Sequence, residues 1–197
     1  MKRILTLIAV LAAAPALAAQ GTDPSWPCIQ RKQPHLSMGQ LWIGPVPDES
    51  TAELAHDPQI ATLAERLAQR RMPMEEAEAE IAGFAPGAGN ARLTALMLAV
   101  FDRIEPERSA LIAGIGRYGQ KQVDLAQMIE DRRSRMAALA AAADPDFDAI
   151  DAEEKALDWD ERIFTERQQS LTYVCETPVI LEQRAFALAR AIAGHLE

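Results

Sequence analysis

The sequence is poor in the residues from which most catalytic and cofactor sites are built. It has only three histidines and two cysteines in 197 residues. His35, His56 and His195 show neither an HExxH nor a paired-His spacing, so a catalytic zinc centre has no support. Cys28 and Cys175 fall in neither a CxxC nor a CxxCH arrangement, which removes the signatures of thioredoxin-like redox chemistry and of covalent haem attachment. The stretch Ala85-Pro86-Gly87-Ala88-Gly89 is Gly-rich but lacks a GKT or GKS ending and follows no predicted strand, so it is not read as a phosphate loop. No Ser-His-Asp or Cys-His set emerges from spacing, no segment alternates with a two-residue period, and no cofactor is expected.

Positive charge is also in short supply. Lys and Arg number 20 against 29 Asp and Glu, a formal net charge of -9, which argues against nucleic-acid and anionic-membrane binding and favours solubility or a basic partner. Long apolar runs are confined to Ile4–Leu17, preceded by Lys2-Arg3 and closed by Ala16-Leu17-Ala18. That is the three-part form of a secretory signal peptide over residues 1–18, with an apolar core short for a membrane span. No cysteine follows the small residues closely enough for a lipid anchor, and no later run is long enough to cross a bilayer. The expected product is an exported protein, periplasmic or secreted further. In that compartment Cys28 and Cys175 are read as one disulfide.

What the chain does have is helical periodicity. Between 107 and 143, large or apolar residues fall at 111, 115, 118, 122, 125, 129, 132, 136, 139 and 143, the alternating steps of four and three that mark a coiled-coil seam. A returning set falls at 147, 150, 154, 157, 161, 164, 168, 171 and 175. The two predict an antiparallel hairpin over 107–176 that turns at Asp144-Pro145, with facing residues whose numbers add to 289 or 290. In that register Gln122 faces Gln168, and Arg132 lies near Glu154 and Glu161. These polar seam positions are read as register-setting pairs, with a polar pocket for a charged ligand as the alternative.

Around the hairpin the sequence predicts an all-α, elongated bundle. Residues 19–49, dense in proline and glycine, form an extended arm clamped by Cys28, with Trp26, Ile29, Leu36, Leu41, Trp42 and Ile43 packed on the bundle. Residues 50–197 form the helical domain. Asp57-Pro58 starts a helix with Ile60, Leu63, Ala64 and Leu67 inward. Pro73 opens a short one with Ala77, Ile81 and Phe84 inward. Asn90 caps an enclosed central helix that ends at Pro106, and a last helix follows Thr177-Pro178. Gly114, Gly116 and Gly119 weaken the hairpin's first helix by about 1 kcal/mol each, which implies close approach of another backbone.

The hairpin tip is the most suggestive surface. Asp144-Pro145-Asp146-Phe147-Asp148 resembles the opening of an EF-hand loop, but Ala149 stands where the turn glycine belongs and Lys155 where the closing glutamate belongs. The alternative is a helix start with Asp144 as N-cap. Asp144, Asp146 and Asp148, facing Arg132, Arg133 and Arg135, are the candidate partner-binding residues. The leading expectation is a non-enzymatic accessory or adaptor protein of the cell envelope, homodimerisation being possible. The second is a binding protein for a metal ion or small anion. The third is an all-helical exported enzyme using Arg66, Arg70, Arg71, Arg117 and the tip arginines as anion contacts.

Overall fold

The computed structural model describes residues 23–197; the predicted signal segment, residues 1–18, lies outside them. Among the described residues six helices follow one another: α1 Met38–Leu41, α2 Glu49–Ala55, α3 Pro58–Ala68, α4 Met74–Phe84, α5 Gly89–Ala140 and α6 Phe147–Ala193. The described residues contain no strand, and none of their helices is long and apolar enough to cross a membrane. The all-α class follows from the periodicity.

The two prolines expected to interrupt the long helices do not. α5 is one helix of 52 residues, about 78 Å at the usual rise, and runs through Pro106; α6 runs through Pro178. An interior proline removes one N–H and orphans the carbonyl four residues earlier. Here those carbonyls belong to Asp102 and Val174, which are exposed residues, so water can take the place of the missing donor. The enclosed central helix and the first hairpin helix are therefore halves of one rod.

Helix starts follow the chemistry of short polar side chains. Asp48 caps α2 by accepting from Thr51 N at 2.8 Å, and Asp57 caps α3 by accepting from the amides of Gln59 and Ile60. Two expected caps move. Asp146 rather than Asp144 caps α6, accepting from Ala149 N at 3.0 Å. Asn90 lies inside α5, where its side chain donates to the Glu197 carbonyl and accepts from Glu197 N, tying the chain end to the start of the rod.

The main core gathers at the open end of the hairpin, away from its turn. Ile60, Leu63, Ala64 and Leu67 of α3, Ala77 and Ile81 of α4, Leu93 to Ile104 of α5, and Leu181, Leu188 and Ile192 of α6 pack together there with Leu36, Leu41 and Trp42 of the arm. Buried Arg184 locks this end: its Nε donates to the Leu67 carbonyl at 2.7 Å and its Nη1 to the Met72 carbonyl at 2.8 Å. It thereby caps the last turn of α3, where a cation is favoured. A second, smaller cluster, Leu125, Ile129 and Leu157 with Met136, Ile163 and Phe164, contains α5 and α6 residues alone.

Along α5 the inward positions are Arg108, Ile112, Ile115, Gly119, Gln122, Leu125, Ile129, Arg132, Met136 and Leu139; from 122 to 139 this is the expected beat, but nearer the main core Ile112 and Gly119 are buried in place of the predicted 111 and 118, which are only half-buried. The cross-helix contacts Arg108–Glu182, Gln122–Phe164, Arg132–Asp160 and Arg135–Glu153 bracket the predicted register. Two details differ. Gln122 donates to the Phe164 carbonyl rather than meeting Gln168, and Glu154 is exposed while Glu153 and Asp160 turn inward. The inward face of α6 thus sits one residue earlier near the tip, as expected for a helix of 3.6 residues per turn drifting against a strict heptad.

The arm is extended apart from the single turn of α1, and the Cys28–Cys175 disulfide, Cα atoms 5.6 Å apart, fastens it. Closing its 147-residue separation contributes up to roughly 5 kcal/mol on the chain-entropy account. Leu36, Leu41 and Trp42 are buried as expected, but Ile29 and Ile43 are exposed. The arm crosses α5 at Gly119, where a Cβ would lie 2.0 Å from the Ser25 carbonyl oxygen. Gly114 and Gly116 have no such neighbour; the nearest atoms there are side-chain nitrogens at 3.8 and 3.9 Å. Close backbone approach explains one of the three glycines.

Candidate functional site

Two places gather polar chemistry. The first is the hairpin tip, where the predicted residues come together in a different arrangement from the one expected. Arg132 bridges two carboxylates of α6, its Nε donating to Asp160 at 2.7 Å and its Nη1 to Glu153 at 3.0 Å. Arg135 reaches Glu153 from the other side at 3.4 Å. Arg133 pairs with Glu161 at 2.6 Å and with Glu130 at 3.6 Å. The hydrogen bonds that Arg132 donates to Asp160 and Glu153 hold its guanidinium above its ordinary range, and the bond accepted from Arg132 holds Glu153 below its own. The three arginines are occupied in zipping α5 to α6.

That leaves the acids. Asp144 and Asp148 are exposed at the turn, while Asp146 is engaged as the α6 cap. Beyond them Asp151, Glu154 and Asp158 are exposed, and with Phe147 they follow one another at steps of four, three and four, so they share one stripe of α6. Phe147 is 72% exposed and Trp159, next to Asp158, is 60% exposed. Sequence reasoning missed both aromatics as surface features. Phe147 belongs to the predicted seam but is exposed, and Trp159 lies between the seam positions 157 and 161, where its exposure is legible.

The second place is a cleft of about 650 Å³ between the arm and the α5–α6 pair, lined in part by Trp26, Arg31, Arg108, Glu182, Phe186 and Arg190. Arg108 is its buried charged residue, with a side chain only 2% exposed. Its Nη2 donates to the Gln33 carbonyl at 2.9 Å and to Glu182 at 3.0 Å, and Glu105 lies 3.7 Å from Nη1. Among the described residues Nε and Nη1 have no hydrogen-bond partner. Glu105 in turn accepts from Leu36 N at 3.0 Å, and Ser109 Oγ lies 3.0 Å from the Pro34 carbonyl. The arm segment 33–36 is thus stitched to α5. Arg108 escaped sequence reasoning although extending the predicted seam three residues back from 111 reaches it, and a charge at a seam position is the signal.

The arginines considered for an enzyme do not form one site. Arg66 pairs with Glu80, Arg70 lies 4.0 Å from Glu107, and Arg132 and Arg133 are at the far tip. Among the described residues no group of three or more His, Cys, Asp or Glu is placed to hold a metal ion. No protein family, no curated protein and no solved structure matches the chain.

Proposed function

We propose that the chain is an exported, non-enzymatic accessory protein of the bacterial cell envelope, periplasmic in location, that docks on a protein partner through the outer half of its hairpin. The observation that carries this reading is the bare two-helix tip. Its small core draws on α5 and α6 alone, yet it exposes Phe147 and Trp159 beside an unpaired acidic stripe. Large aromatics held on a rigid element are the residues that anchor interfaces, and the surrounding Asp and Glu side chains select a basic partner surface with apolar pockets. Arg132, Arg133 and Arg135 hold the rod straight and leave recognition to the acids. A second copy is a poor occupant, since the stripe would repel its own image.

Export is supported by the predicted signal segment together with the disulfide. In the test, the mature, oxidised protein is used as bait on an envelope extract, beside the double variant Phe147→Ser, Trp159→Ser. A partner that is released by raised salt and lost by the variant is expected. Equal capture by both proteins would exclude the tip as the docking surface. The small-anion reading also has an observation in its favour, the arginine-lined cleft at the other end of the hairpin.

A further inference from the structure

We infer that the cleft under the disulfide-clamped arm is a binding site for a small organic anion, a carboxylate carried on a flat apolar body. Charge points to the anion. In a chain of formal charge -9, the charged side chains lining this cleft are Arg31, Arg108 and Arg190 against Glu182 alone, and Glu182 is already committed to Arg108 at 3.0 Å. Arg31 and Arg190 are exposed and free to present guanidinium forks, the group best matched to a carboxylate.

Burial strengthens the case. Arg108 lies at the base of the cleft with Nε and Nη1 screened from solvent and unbonded, an arrangement that costs the full desolvation of those donors and that few buried groups tolerate. Its own charge is met by Glu182 at 3.0 Å and Glu105 at 3.7 Å, so what Arg108 adds is two unfilled donors, and the net positive charge of the cleft is that of Arg31 and Arg190. The apolar body of the ligand is implied by the walls. Trp26 of the arm, and Pro178 and Phe186 of α6, line the same space, and aromatic faces bury planar groups well. A volume of about 650 Å³ falls within the ordinary range of small-molecule sites. Because Trp26 and Arg31 flank Cys28, the disulfide to Cys175 holds this wall in place. The site is independent of the docking tip and stands or falls separately.

The test uses the mature, oxidised chain and three probes: indole-3-acetate, its uncharged twin indole-3-acetamide, and succinate, an anion with no apolar body. Calorimetric titration is expected to give saturable one-to-one binding of indole-3-acetate, at least about tenfold tighter than either other probe, since one charge-assisted contact carries that factor. The exposed-site variants Arg31→Gln and Arg190→Gln, which leave the buried network intact, should each weaken it by about tenfold. No saturable binding of indole-3-acetate, binding equal to that of the amide, or binding untouched by both variants would each overturn the inference.

Discussion

Replacing Gly119 by alanine separates two opposing effects that the structure places at one residue. In a helix interior alanine is favoured over glycine by about 1 kcal/mol, so on propensity alone both Gly116→Ala and Gly119→Ala should stabilise α5. At Gly116 the new methyl meets only Lys32 Nζ at 3.9 Å, an ordinary contact at the end of a flexible side chain. At Gly119 it would stand 2.0 Å from the Ser25 carbonyl oxygen and 2.8 Å from Pro27 Cδ, so the arm backbone must retreat by more than an ångström while Cys28 remains bonded to α6. Overpacking of this kind costs about 1–3 kcal/mol, which cancels or exceeds the propensity gain. Gly116→Ala should therefore be more stable than the parent, and Gly119→Ala should fall below Gly116→Ala by about 1–3 kcal/mol. For a domain of this size that gap is about 2–12 °C in Tm. Denaturant and thermal unfolding of the oxidised proteins, followed by helical circular dichroism, measure it. Equal stabilisation by the two substitutions would refute the crossing of arm and helix at Gly119.

Two further expectations concern charge. The Thr51 amide, then the Ser50 and Thr51 hydroxyls, hold the Asp48 carboxyl down to about 2 from its unperturbed 3.8. Its folded value is the lower one, so its contribution is complete above 3.8 and lost as pH falls through about 2. Asp48→Asn should flatten the acid limb of the stability curve in that window, and an unchanged limb would contradict the capping role. At the tip, Arg132→Met removes the link between Glu153 and Asp160, a solvent-screened cluster whose loss weakens the pairing of the two helices only locally. Amide exchange near the turn should then quicken about fivefold while the main core keeps its protection; exchange unchanged at the tip would show the zipper to be idle.

The long-range order of this protein was legible because its strongest signal, the seam of α5 and α6, is periodic and sustained, and the disulfide followed from compartment and parity. What stayed hidden has specific causes. Pro106 and Pro178 looked like helix ends because a local rule weighs the missing N–H without knowing whether the orphaned carbonyl reaches water. Arg108 and Arg184 escaped because burial of an arginine depends on carbonyls from distant segments, Gln33 for one and Leu67 and Met72 for the other. The tip arginines pair across the hairpin, but which carboxylates they meet depends on the slow drift of α6 against the heptad, which decides between Glu153 and Glu154. Ile29 and Ile43 were expected inside on hydrophobicity alone, and an extended arm can bury only one of its sides at a time.

The claim that the outer hairpin is the docking surface is tested most directly by shortening it in register. Deleting residues 127–140 and 147–160 removes two heptads from each arm, about 21 Å of rod, and brings Ala126 opposite Glu161 across the original turn, leaving the main core, the arm and the arginine-lined cleft untouched. The folded deletion protein, verified by its helical spectrum and cooperative unfolding, should no longer capture the partner held by the full chain. Capture at undiminished affinity by that protein would contradict the account.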